Sequence, residues 1–325
     1  MFYRNSSPRL LLILLLLSTA PNAIAKKLLL ENGDVYEGDI TEEIKTGVGR
    51  YLWKDGRIYE GDFLDNRMHG FGKYVWPDGR TYEGSFSRDQ RHGYGRFDWP
   101  NGEIYEGEFF YDDRHGSGTH SWANGDKYSG EFKRNKRNGM GTFTWSSGEI
   151  YEGLFKDNTI DGWGEFKWPD GRNYTGEFEA GIKSGFGTLR WGNGNRYEGY
   201  FVNDLRSGIG VFKWRDGTIY QGQFLNDEVH GYGVKKDPSE GLELQYWQNG
   251  SLLHTKQIAV IEACSLKLNN VQWMFDGDRC VNGMAHGDGL AVSIEGDYLI
   301  IHGNFFVGKL VTGNILTLKN EKQVK

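Results

Sequence analysis

Apolar and polar positions alternate along most of the chain. In TYEGSF, Tyr82, Gly84 and Phe86 alternate with Thr81, Glu83 and Ser85; in GYGRFDW, Gly93, Gly95, Phe97 and Trp99 alternate with Tyr94, Arg96 and Asp98. Side chains two apart share one face of a strand, so this period predicts β-strands, and no 3.6-residue stripe competes with it. Pro77-Asp78-Gly79 predicts a type I turn closed by a left-handed glycine, and its odd length keeps Trp76 and Tyr82 on one face. The other connection, SRDQRH, is too short for a parallel crossover, so the strands are expected to run antiparallel.

The pattern repeats. Tyr36, Tyr59, Tyr82, Tyr105, Tyr128, Tyr151, Tyr174, Tyr197 and Tyr220 are spaced by 23 residues throughout, as are the tryptophans from Trp53 to Trp214 and the Gly-x-Gly pairs from Gly47/Gly49 to Gly231/Gly233. Nine copies without an insertion imply the same contact between every pair of neighbours. The predicted fold is all-β: an elongated single antiparallel meander of nine 23-residue hairpins over residues 26–240. Eighteen strands at about 4.8 Å each give a ribbon roughly 85 Å long. One face carries rings interleaved with glycines. Glycine is poor in a strand unless something packs over it, and the rings can do so without a second sheet.

The phrases YEGDF, YEGSF and YEGEF, followed by HGFG, HGYG or NGMG, resemble MORN (membrane occupation and recognition nexus) repeats over about Leu28 to Glu240. Departures are modest: Ser129, Thr175 and Gln221 replace the Glu after Tyr, and Asp237 stands where Trp is expected. Residues 241–325 hold two degenerate copies, FDGDRCVNGMAHGDG and IHGNFFVGKLVTGN, expected to form a β-rich cap over the last open edge. The resemblance implies an assembly or binding module, since such arrays commonly join partners and some associate with acidic lipids.

Composition adds an address. Arg4 and Arg9, the apolar run Leu10–Leu17 and the small residues Ala23-Ile24-Ala25 make residues 1–25 read as a signal peptide, so export to the periplasm or the outside is expected. The net charge of −6 makes nucleic acid an unsuitable partner. Cys264 and Cys280 are the only cysteines and are candidates for one disulfide in an exported chain.

Candidate chemistry is sparse. The Gly-x-Gly pairs sit inside strands and open no helix, so they are not a nucleotide loop, and no nucleophile, zinc or P-loop motif occurs. His69, His92, His115 and His230 share one repeat position, but successive copies lie two strands apart, roughly 10 Å, too far to share a metal. Glu37, Glu60, Glu83, Glu106, Glu152 and Glu198 recur in like surroundings, whereas acid/base pairs need unlike ones. The expectation is therefore no catalytic, cofactor or metal site.

One row is less ordinary. The residue between the paired glycines is Val48, Phe71, Tyr94, Ser117, Met140, Trp163, Phe186, Ile209 or Tyr232, on a face otherwise polar. Either it packs beneath the six-residue connections, or it is an exposed stripe for a protein partner or a second copy; Phe71, Tyr94, Met140, Trp163, Phe186, Ile209 and Tyr232 are the candidate partner-binding residues. The alternative is attachment to acidic lipid headgroups through a local basic cluster, Lys133, Arg134, Lys136 and Arg137.

Overall fold

Strand follows strand, with no helix, in the computed structural model, which describes residues 26–258, 264–293 and 297–318. The expected signal peptide at 1–25 lies outside the described residues. The chain divides into two units, Met1–Pro100 with Phe109–Asp112, and Asn101–Glu108 with Asp113–Lys325. In the first, neighbours from Lys26–Leu29 to Gln90–Asp98 pair antiparallel in chain order. In the second, neighbours from Asp113–Ser121 to Ser251–Gln257 do the same. The meander expected from the alternation is the fold.

The first turn is as expected. Gly79 N donates to Trp76 O at 3.0 Å and Trp76 N to Arg80 O at 2.9 Å, with Gly79 at φ 89°. The second connection differs from the six-residue link that the sequence suggested. Ser87 pairs with Gln90, leaving a two-residue hairpin turn at Arg88 and Asp89, both with positive φ. Two left-handed residues in succession define a type I′ turn, whose twist matches the flanking strands. Bonds between copies hold this geometry without glycine. Met68 N donates to Asp89 Oδ1 at 2.8 Å and Asp89 N to Met68 O at 3.0 Å. Asn66, Asp112, Asn135, Asn158, Asp204 and Asp227 make the same pair of bonds to the preceding copy.

The two glycines of Gly-x-Gly also part company. Gly84 pairs with Gly95 and Phe86 with Arg91, so Ser85 alone faces three residues, a bulge that breaks the simple alternation. Gly93 supplies the bulge's positive φ of 82°. Gly95 instead lies beneath a ring. A Cβ built on it would stand 2.5 Å from Tyr82 Cε2, and one on Gly84 would stand 2.4 Å from Gly95 Cα. Tyr82 is fully buried, and its hydroxyl donates to Ser85 O at 2.9 Å, which ties the ring to the bulge. The ring meets Phe86 and the next copy's Phe109 edge-on, each at 5.1 Å. A second line of rings lies beside it, with Trp76 4.4 Å from Tyr74 and 5.2 Å from Phe97. Burying such a ring is worth about 1.5–3 kcal/mol and each edge-on pair about 0.5–1.5 kcal/mol more, so this layer dominates the stability of a copy.

The opposite face carries the register Glu37, Arg50, Glu60, Lys73, Glu83, Arg96, acid against base across successive strands. Arg50 Nε lies 2.7 Å from Glu60 Oε1. Exposed pairs of this kind contribute at most about 1 kcal/mol, so they favour register more than stability.

Near the end of the array the polarity of the faces inverts. In Gly241–Gln248, Glu243 takes the place of the buried tyrosine while Leu244 pairs with Val234 on the formerly charged face. The reason is a separate six-stranded sheet formed by the strands from Leu266–Leu268 to Leu316–Thr317. Its Leu290, Val292, Leu299 and Leu318 bury Val234, Leu244 and Ile258 in one core. The cap therefore lies on a face of the array; it does not cover the last edge. Gln221 follows from this. It is 8% exposed and donates from Nε2 to Leu318 O at 3.0 Å, where a Glu would place a carboxylate against a carbonyl. The degenerate copies keep the same device: Gly277 pairs with Gly289 and Gly289 with Gly303, and Phe275 lies over the first two as Tyr82 lies over its own pair. Cys264 and Cys280 are joined in a disulfide, with Cα atoms 5.5 Å apart, and Cys264 belongs to this sheet's other core.

Gly95→Val is expected to cost about 3 kcal/mol or more in urea unfolding, because its side chain must displace a buried ring. Gly79→Asn should cost no more than about 1 kcal/mol, since Asn tolerates a left-handed turn. Equal losses would show that the ring does not rest on the glycine.

Candidate binding surface

The row between the paired glycines projects from the charged face. The two-residue turns leave it uncovered. In the first unit Phe71 and Tyr94 are each 58% exposed; in the second Met140 is 51% and Trp163 49% exposed. Phe186, Ile209 and Tyr232 are half-buried. Phe186 meets Tyr200 edge-on at 5.8 Å, and Tyr232 lies 4.6 Å from Tyr246 and packs against the core under the cap. Of the seven candidates, the structure thus leaves four exposed and Phe186 and Ile209 half-buried, and turns Tyr232 towards the cap. Ser117, also exposed, interrupts the apolar character.

The backbone of the row is held in place. Phe71 N donates to Asp62 Oδ2 at 2.9 Å, Ser117 N to Glu108 Oε1 at 2.9 Å and Met140 N to Glu131 Oε1 at 3.1 Å. The carboxylate after the YEG or YSG phrase therefore caps the amide that the bulge would leave unpaired. That acid is absent at four copies: Ser85 and Gln223 stand there opposite Phe71 and Ile209, while apolar Leu154 pairs with Met140 and Tyr200 with Phe186. The second unit thereby gains a broader apolar band around Met140, Leu154, Phe186 and Tyr200.

The basic cluster is less available than its sequence implies. Arg137 lies over Phe143 at 4.9 Å and Phe155 at 5.5 Å, on the aromatic face, and Lys136 Nζ is 3.2 Å from Asp157 Oδ1. Arg91 similarly lies over Phe97 and Phe109 at 5.3 and 5.2 Å. These guanidiniums complete the ring layer through cation–π contact and packing of their stems. His69, His92, His115 and His230, which share one repeat position, sit inside strands at the bulge, each half-buried.

One buried polar group escaped sequence reading. His120 holds the position of Phe97 and Phe143 in the ring layer and is 5% exposed. Arg114 Nη1 lies 3.0 Å from His120 Nδ1, and His120 Nε2 lies 2.6 Å from Glu103 Oε1. A guanidinium only donates, so Nδ1 accepts and Nε2 carries the proton, which makes the imidazole neutral. Burial first, and the charge of Arg114 second, lower its pKa to about 4, against the opposing pull of Glu103. Glu103 reaches across from the turn position that Arg57 holds in another copy, where Arg57 Nη1 contacts Tyr74 Oη at 3.2 Å. The substitutions are matched: His for a ring and Glu for its Arg neighbour.

Between its ordinary value of 6.5 and about 4, the unfolded chain binds a proton at His120 that the folded one refuses. Stability is therefore lost as pH falls through that window, by up to about 3 kcal/mol. Urea unfolding at pH 7 and pH 4 should show His120→Phe losing less than the parent; equal losses would contradict the neutral assignment.

The family model agrees with the geometry. The MORN repeat model matches residues 36–56, 59–79, 82–104, 105–127, 128–150, 151–171, 174–196, 197–219 and 220–241. No curated protein matches the chain by sequence. A SAS-4 (dCPAP) TCP domain of Drosophila melanogaster, solved with a proline-rich motif of Ana2, is 14% identical over 48% of this chain and 85% of that one, at a TM-score of 0.32. The wild-type TCP10 domain of Danio rerio CPAP is 12% identical over 71% and 99%, at 0.24. Virginiamycin B lyase from Staphylococcus aureus is 10% identical over 92% and 85%, at 0.14. Similarities this slight carry nothing about function. The nine matched segments contain the turns, bulges and ring-covered glycines described above, and on that ground the chain belongs to the MORN-repeat family.

Proposed function

We propose that this protein is an exported, non-enzymatic MORN-repeat scaffold that joins protein partners, or further copies of itself, through its outer apolar row. The observation that carries the reading is the exposure of Phe71 and Tyr94 in the first unit, and of Met140 and Trp163 in the second, on the face of each unit that also carries its charged side chains. Large rings with pinned backbones lose little entropy on binding, and such residues supply most of the energy of an interface. The same face of the second unit already receives one β-sheet, the cap, over Val234 and Leu244. Protein packing on that face thus has a precedent within the chain.

Export rests on the leader-like residues 1–25, and the disulfide suits an oxidising compartment. Attachment to acidic lipids finds less support, because Arg137 is spent on rings and Lys136 on Asp157.

Trp163→Ser combined with Phe186→Ser should weaken association by roughly 2 kcal/mol or more, read by sedimentation for self-association and by pull-down for captured proteins. The melting temperature should change little. Undiminished association in a folded double variant would place the interface elsewhere; an unfolded one would assign the row to the core.

A further inference from the structure

The cap meets the array along an apolar seam, and beside that seam the two sheets part. The resulting cleft has a volume of about 730 Å³, within the range of small-molecule sites. Its floor is apolar, formed by Leu244, Leu290 and Ile301, with the ring of Tyr232 beside them. One wall contributes His254 and Lys256 from Ser251–Gln257; the other contributes Asp276, Asp288, His302 and Asn304 from the cap.

The charges on these walls are largely balanced. Lys256 Nζ lies 3.1 Å from Asp276 Oδ2, which has almost no solvent exposure of its own. Asn304 Nδ2 donates to Asp288 Oδ1 at 2.7 Å, and among the described residues the second carboxylate oxygen and the amide carbonyl have no further hydrogen-bond partner. Among the described residues, neither His254 nor His302 spends a ring nitrogen on a protein partner. An anionic ligand would meet two carboxylates; with Lys256 and Asp276 paired, a cationic one would find Asp288 alone, already bonded by Asn304. No three of the His, Asp and Glu side chains among the described residues are grouped to hold a metal ion. Ser251–Gln257 is the last strand of its sheet and has one open edge, but the residues it gives the cleft, His254 and Lys256, are two apart and share one face, so the cleft is lined by that face and not by the edge to which a peptide could add.

What remains is a neutral ligand with one apolar face and many hydroxyls. Hydroxyls both donate and accept, matching a carboxylate, an amide and two imidazoles at once, and the C–H face of a sugar ring suits Tyr232 and the aliphatic floor. We propose that this cleft is a binding site for a neutral pyranose, presented as a free sugar or as a unit of a glycan. The site shares only Tyr232 with the apolar row, and it stands whether or not the exposed members of that row bind protein.

The test is calorimetric titration of the purified protein with methyl glucoside, methyl galactoside, methyl mannoside and methyl N-acetylglucosaminide, with inorganic phosphate in parallel. At least one glycoside should bind saturably and phosphate should not. Asp288→Ala and His302→Ala, both exposed positions, should weaken that binding about tenfold while leaving the melting temperature unchanged. Absence of saturable binding by every glycoside, binding of phosphate alone, or full affinity in both variants would overturn the proposal.

Discussion

Each copy depends on a tyrosine ring lying flat against two facing glycines. The ring that covers Gly84 and Gly95 leaves no room for a Cβ on either, and it has no second sheet behind it. A single layer of strands ordinarily fails because one of its faces must be apolar and wet. Here the side chains of the layer fold back onto their own backbone, so the apolar face is largely dry before any partner arrives. The hydroxyl at the ring's far end finds the bulge carbonyl, and this repeats from Tyr36 to Tyr197. Tyr220 is the exception: its hydroxyl is buried and has no partner among the described residues, where the array gives way to the cap.

The remaining features follow from that constraint. A ring over two strands requires those strands to approach closely, and the bulge at Ser85 provides the local bend. The bulge frees an amide, which the neighbouring carboxylate captures, and it lifts the following side chain onto the outer face. The apolar row is thus a by-product of the ring packing that has become available for binding. Where the outer face is covered by the cap, its residues change in step: Gln221 for Glu, then Val234, then Leu244. The same face is charged in one stretch and apolar in another because its surroundings differ.

Much of this was legible in the sequence. The 23-residue period, the ring-and-glycine face and the Pro-Asp-Gly turn follow from spacing alone, because each depends on neighbours a fixed number of residues apart. The tight turn at Arg88 and Asp89 was hidden, since its positive φ angles are held by bonds to the preceding copy and carry no glycine signal. The bulge was hidden because counting by twos assumes that both strands advance equally. The partners of His120 stand six and 17 residues away in sequence, a separation that no local motif records. The cap's seat was signalled faintly by Gln221 and by the inverted phrase GLELQYW, but which face it would cover depended on tertiary packing. For the candidate row, sequence supplied the positions, and the shortness of the turns decided their exposure.

The central claim is that the repeated tyrosines are sealed inside the layer, and their ionisation tests it most directly. Burial pushes Tyr36, Tyr128 and Tyr151 up to about 12 and raises Tyr59, Tyr82, Tyr174, Tyr197 and Tyr220 further in the same direction. Above pH 10 the unfolded chain releases phenolic protons that the folded chain retains, so stability falls as pH rises. A spectrophotometric titration followed alongside far-ultraviolet circular dichroism should show these tyrosines ionising only near pH 12 or above, together with loss of the sheet signal. Ionisation of the full set near pH 10 with the sheet signal intact would contradict the account.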